Sequence, residues 1–251
     1  MLINNNPEEV VTELFEAAKK ISKERMILAL LDVARICDPR GKILSLGDER
    51  GFALDEFCKL FHTILKGSFS VEGDKDLFVT KLHLLAYSQF WDCRSIQRML
   101  TSLVRIARGQ RYDPDLYLKN PPLTWKIMGI LQDEADNANI KLGYFLKLIY
   151  RNQIRNAFVH SEYCFLPKDL SLLNYNKTKK WTVPSITIED WDQIYKSFKT
   201  FCNALFHRRS QELDEFKKES PFVIKSSDFK RAKFKELTIN YDTVKKRWDF
   251  A

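Results

Sequence analysis

Residues 76 to 107 contain neither proline nor glycine, and their apolar side chains recur at helical spacing. The run is far too long for a strand, and its period is closer to 3.6 than to 2. It must form one long helix or two helices broken near Trp91, with Gly109 as the stop. A chain built around such a segment packs helix on helix.

The flanking sequence agrees. Asn6-Pro7-Glu8-Glu9 is a helix start, with Asn6 as cap and Pro7 at the first helical position. The apolar pattern after it runs to about Ile36, and Asp38-Pro39-Arg40-Gly41 breaks it. Leu54, Phe57, Cys58, Phe61, Ile64 and Leu65 predict a further helix ending at Gly67. Tyr112 to Leu123, with Asp113-Pro114 and Pro121-Pro122, reads as a loop. Helices are predicted from Leu123 to about Asp136 and, after a bend at Asn137 and Asn139, from about Ile140 to Ser161. Cys164-Phe165-Leu166-Pro167 reads as extended, and residues 170 to 186 as a short β-hairpin. Thr187-Ile188-Glu189-Asp190 caps a helix running beyond Phe206.

The expected fold class is therefore all-α, a helical bundle with a small β-hairpin or extended excursion. Residues 1–75 form an N-terminal helical region, either separate or part of the same bundle. Residues 76–210 form the main helical domain, and 211–251 a basic C-terminal extension. From His207 onward there are 12 Lys+Arg against 8 Asp+Glu, half of the chain's net charge of +8. That tail reads as flexible or weakly packed with some local helix, either solvated or used to steer RNA or a partner. The overall charge favours polyanionic partners.

Five cysteines, odd in number and widely spaced without C-x-x-C, fit a reducing cytoplasm better than a disulfide framework. The N-terminus lacks the pattern of a signal peptide, and no run of about 18 apolar residues predicts a membrane span. P-loop, dinucleotide-binding and serine-hydrolase motifs are absent from the sequence.

One segment carries chemistry: Arg151-Asn-Gln-Ile-Arg-Asn-Ala-Phe-Val-His-Ser-Glu-Tyr163. On a continuous helix, Leu146, Tyr150, Ile154, Ala157 and Phe158 share a core-facing sector. Asn152, Asn156, His160 and Tyr163 make a stripe opposite, flanked by Arg151 and Arg155. Phe145, Leu148, Ile149 and Val159 lie beside these polar groups, so the second face suits a protein seam or a cleft. RNA cleavage by its own 2′-OH needs a base, an acid and positive charge at the phosphorane. Histidine serves either proton step near neutral pH. Arginine stays charged and matches phosphate geometry. Asparagine orients an oxygen. Two copies meeting at this face would bring two His160 residues to one groove, one as base and one as acid.

Arg155-Asn156-Ala157-Phe158-Val159-His160 resembles the Arg-polar-x-x-x-His signature of the HEPN superfamily, the higher eukaryote and prokaryote nucleotide-binding domains. His160-Ser161-Glu162-Tyr163 is similar to residues that often follow it. The resemblance spans about 20 residues, with helical character alone in agreement over 80–210. It implies a helical homodimer joined through the motif helices and a metal-independent endoribonuclease without cofactor. The implied setting is toxin–antitoxin or phage defence, with an antitoxin or regulatory protein as a further partner. It makes Arg155 and His160 catalytic and Asn156 the polar third member. Two residues separate His160 from Tyr163, where some toxin branches have His-x-Tyr; regulation through that tyrosine is not carried over.

Arg151, Asn152 and Tyr163 are candidate substrate-binding residues, with Arg151 on phosphate or paired to Asp133 or Glu134. Arg94, Arg98, Arg105 and Arg108 fall within about 80° on a helix, as an RNA-backbone stripe or a solvated face. His62, His83 and His207 read as core or surface residues. His160 and Cys164 are four apart, but no second pair has ligand spacing, so no metal is expected. The contrasting reading is a non-catalytic helical module that binds RNA, a nucleotide or a protein, with Arg155, Asn156 and His160 in a structural hydrogen-bond network.

Overall fold

The computed structural model describes residues 6–31, 75–117, 122–230, 235–245 and 247–250. Among these the chain is mostly helical, with eight α-helices and two three-stranded antiparallel sheets. The helix read over Leu54 to Leu65 and the Asp38-Pro39 break lie outside the described residues.

Helix α1 (Pro7–Ile21) starts as its sequence dictates: the Asn6 side chain accepts from the Glu8 N–H at 3.0 Å. α2 (Lys23–Leu31) follows almost without a break. The proline-free run divides at Cys93 into α3 (Lys75–Asp92) and α4 (Arg94–Ala107). α5 (Thr124–Asn137), α6 (Leu142–Ile149) and α7 (Asn152–Val159) come next. Strands β1 (Tyr163–Phe165), β2 (Asp169–Leu172) and β3 (Ser185–Thr187) form one meander, pairing Tyr163 with Leu172 and Leu170 with Ile186. The Thr187 hydroxyl then caps α8 (Ile188–Glu219), accepting from the Asp190 N–H at 3.0 Å.

The expected single helix over 140–161 is two. Tyr150 and Arg151 are extended, with ψ of 114° and 92°. The cause lies 64 residues away: the buried Tyr87 hydroxyl accepts from the Arg151 N–H at 2.6 Å and donates to the Ile149 carbonyl at 2.9 Å. One hydroxyl thus satisfies both backbone groups freed by the break.

The tail also differs from its expected looseness. α8 continues to Glu219, so position 210 falls inside a helix. Strands β4 (Phe222–Lys225), β5 (Glu236–Asp242) and β6 (Arg247–Phe250) then form a second meander. Ile224, Leu237, Ile239 and Trp248 are buried, so alternating apolar residues put this sheet into the core despite its charge.

Helices α1 and α2 pack on α4 and α8, within the same apolar cluster as the rest. Its centre is aromatic. Tyr87, Phe90 and Trp91 on α3 meet Trp191, Phe198 and Phe201 on α8, mostly edge to face, and His83 of α3 stacks on Tyr195. Truncating one such ring costs about 3–5 kcal/mol. The seam fixes α3, and α3 in turn fixes α7, through Tyr87 at the break and Asp92 at its own last residue.

Candidate functional site

Arg155 projects from α7 onto the end of α3. Its Nε donates to Asp92 Oδ2 at 3.1 Å, and its Nη2 donates to the same oxygen. Nη1 donates to Asn156 Oδ1 at 2.7 Å. The other Asp92 oxygen accepts from the Thr124 hydroxyl at 2.8 Å. Thr124 begins α5, so three helices fix one guanidinium plane. The pair is not sealed: the side chains are 18% and 29% exposed. An arginine has five N–H donors, and the fork keeps two for another acceptor.

Asn156 spends its carbonyl on Arg155, which leaves its NH2 facing outward as a donor among the described residues. His160 is the residue on which α7 ends, and it is exposed. Its backbone N–H donates to the Asn156 backbone carbonyl at 3.0 Å. Ser161 follows in the left-handed region, with φ of 58°. The Ser161 N–H reaches the Phe158 carbonyl at 3.1 Å and the Glu162 N–H reaches the Ala157 carbonyl at 2.7 Å. These two bonds make a Schellman end, which fixes the backbone at His160 while its imidazole stays open to solvent. Gly109 and Asn139 end α4 and α5 with the same pair of bonds. Serine pays more backbone strain in this conformation than glycine does.

The other candidates divide. Tyr163 stands on β1 with its ring stacked on Phe158 at 5.5 Å, and so braces α7 from behind. Arg151 is exposed and donates to the Lys147 carbonyl at 3.2 Å. Asn152 is half-buried, with its carbonyl accepting from the Tyr150 hydroxyl at 3.1 Å. Glu134, one proposed partner of Arg151, instead takes Arg105 at 3.2 Å and also Arg108. Arg98 is 4% exposed, and Arg94 donates to Gln97 at 2.8 Å. The four α4 arginines are thus packed or paired on the helical scaffold; the motif's own Arg155 is joined to Asp92.

Sequence reasoning missed three participants. Asp92 and Thr124 gave no local signal, because Asp92 meets Arg155 across 63 residues and Thr124 meets Asp92 across 32. Gln153 drew no expectation from the sequence and is buried, 8% exposed. Its Nε2 donates to the Val183 carbonyl at 2.8 Å and its Oε1 accepts from the Val183 N–H at 2.9 Å. That double bond fastens the 174–184 loop to α7. Between them opens a groove of about 590 Å³, whose lining includes Arg151, Asn152, Trp181 and Asp190.

Among the described residues, no group of three or more His, Cys, Asp or Glu gathers as metal ligands would. No helix among them is long and apolar enough to cross a membrane. The chain matches no family model, no curated protein and no solved structure.

Proposed function

We propose that this chain is a HEPN-type endoribonuclease that cleaves RNA by 2′-OH attack without a metal. We place it in the cytoplasm, in a toxin or phage-defence role, as a homodimer joined through the motif helix. The observation that supports this is the pairing of an oriented but solvent-reachable Arg155 with an exposed His160 on one short helix.

The chemistry follows from the groups present. One His160 takes the proton of a ribose 2′-OH, whose oxygen attacks the adjacent phosphorus. The P–O2′ bond forms and the P–O5′ bond breaks. The leaving O5′ takes a proton from a second His160, supplied by the other copy. Arg155 stabilises the pentavalent phosphorane with its two spare N–H groups, and Asn156 donates to a phosphate oxygen. The products are a 2′,3′-cyclic phosphate and a 5′-OH. Asp92 is a positioning residue: it holds the guanidinium plane and is not asked to move a proton.

A second reading draws on the same ion pair. If Asp92 keeps Arg155 from phosphate, the network is structural and the chain is a non-catalytic binding module. Incubation of mixed cellular RNA with wild type and His160→Ala in excess EDTA separates the two. The ribonuclease reading expects cleavage by wild type alone, and toxicity on expression relieved by His160→Ala. A folded dimer that cleaves nothing favours the module.

A further inference from the structure

The groove beside α7 has no part in the proton transfers above, yet it is built with care. Its floor is apolar: Leu148, Tyr150, Ile154, Ile186 and Ile194. Its volume of about 590 Å³ sits within the range of about 300–1,000 Å³ typical of small-ligand clefts. One wall is the 174–184 loop, which is not loose. Thr182 is 8% exposed and its hydroxyl donates to the Asn176 carbonyl at 2.8 Å. Gln153 then bonds Val183 on both sides. This rigid loop holds Trp181 63% exposed at the rim.

We propose that the groove is a nucleobase subsite for single-stranded RNA, which admits one base of the strand that runs along α7. This rests on the reading of RNA as the substrate. The indole of Trp181 offers a flat apolar face for stacking, which is sequence-tolerant because every base has such a face. Lys179 lies 5.3 Å from the centre of that ring and adds positive charge at the rim. Arg151, which also lines the groove, spends one N–H on the Lys147 carbonyl and keeps the others for a phosphate. Asn152 keeps its NH2, because its carbonyl alone is engaged.

Asp190 makes the subsite selective. One of its oxygens accepts from the Thr187 hydroxyl at 2.8 Å, and the other remains as an acceptor toward the groove. A carboxylate accepts from exocyclic amino groups and is repelled by carbonyl edges. Adenine and cytosine present such amino groups, and uracil does not. Asn152 and His160 are eight residues apart, which is about 12 Å along a helix axis. A base seated here therefore belongs to a nucleotide near the cleaved bond, not at it.

The test uses His160→Ala protein, so that binding is read without turnover. Short labelled oligo(A), oligo(C) and oligo(U) are titrated and followed by anisotropy. Trp181→Ala weakens all three oligomers, oligo(A) and oligo(C) by about tenfold or more, while Trp181→Phe keeps most of the affinity. Arg151→Ala weakens all three and lowers the salt dependence. Asp190→Asn erases the preference over oligo(U). All three side chains are exposed, so loss of fold is not the expected confounder, and thermal melts check it. Equal binding by Trp181→Ala and its parent overturns the proposal, as does a failure of all three oligomers to bind. If Trp181→Ala loses binding but wild type never cleaves RNA, the subsite stands and the ribonuclease reading falls. If wild type cleaves and Trp181→Ala changes neither binding nor KM, the subsite falls alone.

Discussion

Among the described residues, Glu212 and Asp92 both hold arginines, in opposite ways. Glu212 on α8 is 1% exposed and sits between Lys19 of α1 at 2.9 Å and Arg208 at 2.7 Å. Arg208 also reaches Glu16, and Lys19 reaches Glu215 at 2.7 Å, so the cluster closes on itself. Asp92 is 29% exposed, and its Arg155 keeps donors to spare. The first arrangement ties two helices together around a carboxylate that solvent does not reach. The second fixes a cation's direction and leaves it reachable. Closure, rather than the presence of an ion pair, separates scaffold from site.

The comparison breaks most sharply at Glu212. Glu212→Gln removes the buried charge shared by Lys19 and Arg208, which keep Glu215 and Glu16, and lowers stability by about 1–3 kcal/mol in denaturant titration. RNA cleavage per folded molecule stays at the wild-type level. Loss of cleavage without loss of stability would reverse the assignment. Asp92→Ala weighs on activity instead: a misdirected guanidinium costs about a hundredfold in kcat, beyond the stability lost with the Arg155 and Thr124 bonds, so cleavage per folded molecule falls. Asp92→Asn, which keeps the Thr124 bond and weakens the grip on Arg155, falls between wild type and Asp92→Ala.

Two smaller effects sharpen it. Tyr87→Phe strips the α6–α7 break of the hydroxyl that serves Ile149 and Arg151, and costs about 1–3 kcal/mol for the groups left unpaired. Cleavage falls with it, because the break sets where α7 lies. Ser161→Gly relieves the left-handed serine behind His160 and raises stability by up to about 1 kcal/mol.

The scaffold also carries its own pH dependence. Burial, and then the charge of Lys199, push His83 down to about 4, with its ring stacked on Tyr195 at 3.8 Å. Its folded pKa lies below the unfolded value near 6.5, so the folded chain binds fewer protons between the two. Stability is full above about pH 6.5 and declines as pH falls toward 4. His83→Phe flattens that decline and leaves the pH profile of cleavage unchanged.

Local signals in the sequence were enough for the caps and for the helical run. Asn6 and Thr187 cap the helices they precede, and the long run divides beside Trp91, because these features depend on neighbours in the chain. The break at Tyr150 was hidden, since apolar periodicity passes straight through it and the hydroxyl that holds it comes from α3. The second sheet was hidden by its charge. Its strands alternate short apolar and polar residues, and the polar ones dominate any compositional reading. At the site, Arg155, Asn156 and His160 stood out as a spacing. Asp92, Thr124 and the Trp181 loop did not, because what brings them to α7 is tertiary packing.

The most direct measurement compares two matched oligonucleotides, one all-ribose and one with 2′-deoxy sugars, in EDTA, with product ends read by mass spectrometry. The account predicts that wild type cuts only the ribose strand, leaving 2′,3′-cyclic phosphate and 5′-OH ends, and that His160→Ala and Arg155→Ala cut neither. Cleavage of the deoxy strand, or undiminished cleavage by His160→Ala, would contradict it.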